Sequence, residues 1–257
     1  MNEYVLGDPH GGFKALMEVI EKSKFDYEKD KMIVIGDVCD GWPETPQCFE
    51  ELLKMKNLVY ITGNHDKWAL SWMQGKFDLN NPSVSEADAW LHHGGKATKE
   101  AYLAEYDLIA KHREFLETKS KLYYLDEQNR LFVHGGFDED FPIDQQHETM
   151  YYWDREFWQQ AYMGRNVGKN FKEVYLGHTP TLNFPQNDGS HYLPMSRKNV
   201  YNVDTGAAFT GKLSLMEINS KEVFQSDYVM KLYPTHKGRN GRAYDNILYS
   251  ERTKYEK

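Results

Sequence analysis

Met32-Ile33-Val34-Ile35-Gly36-Asp37-Val38-Cys39-Asp40-Gly41 is a run of four apolar residues that ends abruptly in a Gly-Asp turn. An apolar run of that length, rich in β-branched side chains and bounded by turn residues, reads as a buried strand. The same arrangement stands on either side of it. Upstream, Tyr4-Val5-Leu6 ends in Gly7-Asp8; downstream, Leu58-Val59-Tyr60-Ile61 ends in Thr62-Gly63-Asn64. Between these runs the apolar spacing changes to that of a helix. Phe13 to Lys22 places Leu16, Val19 and Ile20 on one face, and Thr45 to Lys56 turns Phe49, Leu52, Leu53 and Met55 inward. Strand, polar turn and helix in repetition predict an α/β fold with a parallel sheet covered by helices.

The rhythm breaks from about Lys67 to Ser120, where Ala, Glu, Lys and Trp dominate and Pro82 interrupts the stretch. We read residues 67–120 as a helical insertion or cap within one domain spanning 1–257, packed by Trp68, Trp72 and Trp90. Strands return at Leu122–Leu125 and Leu131–Val133, on either side of a turn at Glu127-Gln128-Asn129. A helix is expected from Glu148 to Tyr162 and a strand at Val174–Leu176. Asn199 to Tyr228 reads as an antiparallel finishing sheet, and the last 20 or so residues as a ragged polar tail.

The chain of 257 residues is long enough to bury a substantial core. Its net charge of −8 argues against coating nucleic acid or lying on a membrane, both of which need basic patches. Acidity does not exclude an anionic substrate, because bound cations reverse the local field. The two cysteines, Cys39 and Cys48, form neither a disulfide framework nor a CxxC pair, which suits a reducing compartment. With no leader-like N-terminus and no apolar run long enough to span a bilayer, a cytoplasmic location is the expectation.

Five polar clusters each follow an apolar strand: Gly7-Asp8-Pro9-His10-Gly11, Gly36 to Gly41, Gly63-Asn64-His65-Asp66, Val133-His134-Gly135-Gly136 and Gly177-His178-Thr179-Pro180. Taken singly, each is a turn or a helix cap. Together they are carboxylates, an amide oxygen and imidazoles at strand ends, where open α/β sheets bind ligands. That donor set suits divalent manganese, iron or zinc without thiolate. Two such ions about 4 Å apart can activate water and hold a phosphoryl group together.

The segments GDPHGG, GDVCDG, GNHD, VHGG and GHTP resemble the calcineurin-like metallophosphoesterases. Within that superfamily they are most similar to bacterial phosphoprotein phosphatases and diadenosine tetraphosphatases. The resemblance covers about residues 4–217, including Asn202-Val203-Asp204-Thr205-Gly206-Ala207. It implies a β-sandwich flanked by helices, in α-β-β-α layers. It implies two divalent ions, manganese foremost with iron or zinc as the others. Asp8 and His10 would hold the first metal, Asp37 would bridge, and Asn64, His134 and His178 would hold the second. His65 would protonate the leaving oxygen while Asp40 orients it, and a metal-bridging hydroxide would attack phosphorus in line. Asn64 would also face the substrate phosphate.

The chain departs from the eukaryotic-like phosphatase pattern at two places. Gly41, followed by Trp42, stands where that pattern has Arg after the second Asp of GDxxDRG, and Asp66 stands where it commonly has Glu. Arg155, in a Trp-x-Arg-Glu segment similar to one in the bacterial group, is the candidate substitute for binding substrate phosphate; its alternative is a helix-surface salt bridge. His92-His93 does not read as a metal pair, since helix neighbours do not share a face. His112, His147, His191 and His236 lack a strand-end context and receive no role. Cys39 reads as a buried filler.

The expected substrate is a phosphorylated small molecule or a phosphoprotein. Hydrolysis of a dinucleotide such as diadenosine tetraphosphate is the alternative, favoured if Trp42, Trp68 or Trp72 lines an adenine slot. A silent phosphate-binding scaffold and a nucleic-acid phosphodiesterase are the remaining readings. The full set of candidate ligands weighs against the first, and the absence of a basic stripe against the second.

Overall fold

A computed structural model describes residues 1–77, 86–184, 192–247 and 255; Pro82 and His191 lie outside them. The chain opens with β1 (Glu3–Leu6), α1 (Phe13–Ser23), β2 (Lys31–Val34), α2 (Thr45–Leu52) and β3 (Asn57–Tyr60). Four helices follow: α3 (Asn64–Met73), α4 (Glu86–Trp90), α5 (Lys96–Ala104) and α6 (Leu108–Thr118). A kinked π-type turn at Leu91–Gly95 joins α4 to α5. Then come β4 (Tyr123–Leu125), β5 (Arg130–Val133), α7 (Glu148–Trp153), α8 (Glu156–Tyr162), β6 (Glu173–Leu176), β7 (Met195–Arg197), β8 (Val200–Asn202), β9 (Lys212–Glu217), β10 (Val223–Tyr228) and α9 (Val229–Leu232). No helix among the described residues is long and apolar enough to cross a membrane.

The strands form two five-stranded sheets, ordered β10-β9-β1-β2-β3 and β4-β5-β6-β8-β7. The expected parallel unit is present, with β1 beside β2 and β2 beside β3. It is not a purely parallel sheet, however, because β9 and β10 extend it antiparallel. The expected finishing sheet is likewise divided: β9 and β10 complete the first sheet, whereas β8 pairs parallel with β6 in the second. Register depends on which face each side chain must bury, and that is settled only by distant partners.

Strand alternation sorts the apolar residues into three layers. Tyr4, Leu6, Met32 and Val34 face α1 and α2. Leu131, Val133, Val174 and Leu176 face Phe157 and Trp158 of α8. The residues between them in sequence, Val5, Ile33, Phe132 and Tyr175, meet in the middle of the sandwich. Each such fully buried aliphatic side chain contributes roughly 1.5–3 kcal/mol. Stacked rings fasten the inner face of the second sheet, with Phe132 and Tyr175 centroids 4.8 Å apart and Tyr175 and Tyr201 centroids 5.0 Å apart. The result is the α-β-β-α layering.

The single helix expected at Glu148–Tyr162 is two. Asp154 is extended (φ −63°, ψ 133°), and its carboxylate accepts from the N–H groups of Glu156 and Phe157. An aspartate that caps the next helix necessarily ends the preceding one. Of the tail expected to be ragged, residues 248–254, 256 and 257 lie outside the described residues. Residues through 247 fold back on the first sheet, with Tyr233 stacked on Trp42 at 5.3 Å.

Candidate active site

Each parallel strand ends in one cluster. β1 leads to Asp8 and His10, β2 to Asp37 and Asp40, β3 to Asn64 and His65, β5 to His134, β6 to His178 and β8 to Asp204. The two sheets align these ends along one rim. The loops are tied together by main-chain bonds, His10 N–H to Asp37 O at 2.9 Å and Gly177 N–H to His134 O at 2.9 Å. His134 Nδ1 lies 2.9 Å from Ile35 O, which links the second sheet to the first. His10, Asp37, Asp40 and His178 all adopt left-handed φ between 50° and 72°. Such conformations cost on the order of 1 kcal/mol each in ordinary residues and concentrate at functional sites. Gly63 and Gly177 sit where any Cβ would strike the carboxylates of Asp37 and Asp8.

The structure brings the expected residues into one buried nest. His10, Asp37 and His65 form one group and Asp37, His134 and His178 a second, with the donor atoms of each group within 4.8 Å of one another. Asp37 belongs to both. Its Oδ2 lies 3.7 Å from His10 Nε2 and 3.2 Å from His134 Nε2, while Asn64 Oδ1 is 3.1 Å from His134 Nε2. Asp8 adjoins the second group, accepting the His178 N–H at 2.9 Å. The charge pattern fits cations. Burial and the neighbouring Asp204 push Asp8 well above the usual carboxylate range, and burial holds His10 and His178 well below the usual imidazole range. Asp37 runs the other way: burial alone would raise it, but His134, His65 and His10 hold it well down. Asp8 Oδ1 and His178 Nε2 are buried with no hydrogen-bond partner. Orphaned lone pairs of this kind are costly unless something binds them, and carboxylate oxygen with neutral imidazole is a divalent-metal donor set. The residues present therefore fit the metal pair that the sequence motifs imply.

His65 and Asp40 meet at 2.8 Å between Nδ1 and Oδ2. The other carboxylate oxygen of Asp40 accepts from Trp90 Nε1 at 3.0 Å and from the Thr98 hydroxyl at 2.8 Å. Burial raises Asp40 to about 8 and lowers His65 to about 3, so the pair shares a single proton and carries no net positive charge. Its supports come from α4 and α5, far from the motif in sequence.

Asp66 belongs to neither donor group. Its carboxylate accepts the N–H groups of Asp37 (2.8 Å), Val38 (3.0 Å), Cys39 (3.1 Å) and Gly63 (3.0 Å), and so braces the loop that carries Asp37. Burial lifts Asp66 to about 6, which leaves it ionised at neutral pH. Sequence reasoning missed this role, because a carboxylate in the first turn of a helix looks like a simple cap. It also gave no role to Asp204, which sits buried beside Asp8 and Asp37.

Among the described residues Arg155 makes no ion pair with a carboxylate. Nη1 donates to His178 O and to Thr179 Oγ1, both at 3.0 Å, and the side chain lines a cleft of about 780 Å³ beside His178. Trp42 cannot line an adenine slot: it is fully buried and its indole donates to Ala207 O at 2.8 Å. Trp68 is packed edge-on to His65 and to Trp153, and Trp72 stacks on Trp90. His92 and His93 lie in the π-type turn, where His93 stacks on Trp68. His112 is buried between Tyr102 and Glu50. Cys39 is a buried thiol raised well above its usual range by burial and by Asp66, in keeping with an inert filler.

Comparison with known proteins agrees with this geometry. The family model described as calcineurin-like phosphoesterase matches residues 1–207. A serine/threonine-protein phosphatase 1 of Salmonella typhimurium is 25% identical over 227 residues, covering 84% of this chain and 91% of that protein. An asymmetrical bis(5'-nucleosyl)-tetraphosphatase of Bacillus cereus is 23% identical over 249 residues, covering 85% and 91%. Among solved structures, a candidate diadenosine tetraphosphatase superposes with a TM-score of 0.60 at 15% identity, covering 87% of this chain and 92% of that one. A metallophosphoesterase from Sphaerobacter thermophilus gives 0.56 at 17% identity, covering 90% of each. With the family matched across most of its length, the chain belongs to the calcineurin-like phosphoesterases and is a metal-dependent phosphoric ester hydrolase.

Proposed function

We propose that the chain is a dinuclear phosphatase acting on phosphomonoesters, phosphoproteins among them, with manganese as the working metal in a cytoplasmic setting. The observation that carries this reading is the sharing of Asp37 by both donor groups. A carboxylate held ionised between two imidazole clusters would suit the bridging position of a metal pair. In the assignment we favour, Asp8 and His10 serve one metal and Asn64, His134 and His178 the other. The bound metals would supply Lewis acidity toward the phosphoryl oxygens and toward the attacking water.

The protein groups do the rest. Arg155, anchored to the loop of His178 and Thr179, presents its remaining N–H donors to the cleft, and Asn64, beside His134, would contact the substrate phosphate from the metal side. His65 Nε2 delivers a proton to the leaving oxygen, while Asp40 holds Nδ1 and fixes the tautomer. Trp90 and Thr98 keep Asp40 from rotating away. In this reading the described residues of 67–120 are a helical cap within a single domain, and Trp90 and Thr98 on its inner wall are part of the proton-transfer apparatus.

A second substrate, a dinucleoside polyphosphate, is favoured by the room in the cleft and by its apolar wall of Tyr162, Leu182, Phe184 and Phe209. The test is a panel of p-nitrophenyl phosphate, a phosphothreonine peptide and diadenosine tetraphosphate, with and without added Mn²⁺. Metal-dependent turnover of the monoesters is expected. His65→Gln should lower kcat by about 100-fold to 10,000-fold while retaining metal. Hydrolysis of the dinucleotide alone would replace the phosphomonoester reading, and no turnover by the metal-loaded chain would remove both.

A further inference from the structure

Residues 229–247 lie beyond the span that the family model matches, yet they reach the rim of the site. The path is fixed by packing. The Tyr233 ring stacks on Trp42, its hydroxyl accepts the Lys14 N–H at 2.9 Å and donates to Glu44, and the Arg239 N–H donates to Ala208 O at 2.9 Å. Arg239 then crosses two bare glycines. Its Cγ lies 3.5 Å from where a Cβ on Gly41 would stand and 3.2 Å from where one on Gly94 would stand. Gly41 and Gly94 have φ of 117° and 114°, a region that L side chains rarely adopt. A side chain could not easily start from either position, and the absence of one leaves a channel for the stem of Arg239.

The guanidinium lies over the Phe209 ring, 4.9 Å from its centroid. Among the described residues it makes no side-chain hydrogen bond or ion pair, although it is half-buried at an acidic centre. Arg239 also lines the same cleft as Arg155 and His178. A guanidinium with free donors, set on an aromatic platform beside a second arginine, suits the non-bridging oxygens of a phosphate.

We propose that Arg239, delivered by the C-terminal segment across Gly41 and Gly94, is a second phosphate-binding residue that clamps the substrate together with Arg155. This rests on the phosphatase reading above. The clamp would select esters whose phosphate enters between the two arginines while an apolar group lies along Leu182 and Phe184.

The test uses the full-length, manganese-loaded chain and inorganic phosphate as the probe. Phosphate affinity is measured by calorimetry, and KM and kcat are measured on p-nitrophenyl phosphate. Arg239→Ala is expected to weaken phosphate binding and kcat/KM by roughly 10-fold to 100-fold, the scale of lost charge-assisted hydrogen bonds, with metal content unchanged. Arg239→Lys should recover part of the loss, having the charge without the fork. Arg239→Gln keeps much of the stem over Gly41 and Gly94 and guards against a folding defect. Wild-type phosphate affinity in the Gln variant overturns the proposal and leaves Arg239 a structural post. Weak affinity at a wild-type melting temperature supports it. If the wild-type chain hydrolyses no ester, the phosphatase reading fails, while the calorimetric comparison still decides the role of Arg239.

Discussion

Replacing Asp66 by Asn exchanges one carboxylate oxygen for an NH₂ group at a site where four backbone N–H groups converge. Oδ1 serves Val38 and Cys39, and Oδ2 serves Asp37 and Gly63. Whichever way the amide turns, two buried donors lose their acceptor and face another donor. Each unsatisfied buried donor costs about 1–3 kcal/mol, so Asp66→Asn should destabilise the fold by about 2–6 kcal/mol. For a chain of this size each kcal/mol lowers Tm by about 2–4 °C, and a central loss of about 4 kcal/mol predicts a fall of roughly 8–16 °C. The braced loop carries Asp37, so metal retention should fall as well. Thermal unfolding followed by circular dichroism near pH 7.5, where Asp66 is ionised, gives the first quantity; metal content after desalting gives the second. A Tm and a metal content both equal to wild type would show that the four contacts are incidental and that the loop is held by something else.

Three further outcomes follow from the same geometry. Thr98→Val removes the hydroxyl that donates to Asp40 Oδ1 and accepts the Asp40 N–H; kcat should fall about 10-fold with metal content intact, and an unchanged kcat would detach Thr98 from the proton-transfer pair. Chelation should lower Tm, because Asp8, Asp37 and Asp204 are buried together and metal that binds only the folded state stabilises it in proportion to the logarithm of its concentration; a melting curve indifferent to EDTA and to added Mn²⁺ would contradict this. His112 is held below its usual range by burial, so between its folded and unfolded pKa the unfolded chain binds the extra proton. Its contribution is complete above the unfolded pKa and declines as pH falls below about 6.5. His112→Gln should flatten the acid side of the Tm–pH curve, and a parallel curve would refute the assignment.

Much of this was readable in the sequence for a simple physical reason. Val5, Ile33, Phe132 and Tyr175 each alternate with residues facing the opposite layer, so strand identity is local information. Glycines and ligand-type residues at the strand ends are local as well, which is why Asp8, His10, Asp37, Asn64, His65, His134 and His178 could be picked out and are found in one nest. What could not be read depends on distant pairing. That β9 rather than a helix-linked strand would lie beside β1 is set by residues some 200 positions apart. Asp66 resembles an ordinary helix cap until the second-motif loop is folded over it. Arg239 sits in a polar tail, and distant contacts such as Tyr233 on Trp42 and the Arg239 N–H on Ala208 O bring that tail to the rim of the site. The break at Asp154 was hidden because the apolar spacing continues across it.

The order β10-β9-β1-β2-β3 has a consequence for biosynthesis. β1 leaves the ribosome some 200 residues ahead of β9, so one of its hydrogen-bonding edges must wait for that later strand. Throughout that interval Tyr4, Val5 and Leu6 present an unpaired backbone edge that neighbouring nascent chains could capture. Shielding by a holdase chaperone, or slow release after Glu217 emerges, should therefore govern the yield of this protein more strongly than the stability of its finished core.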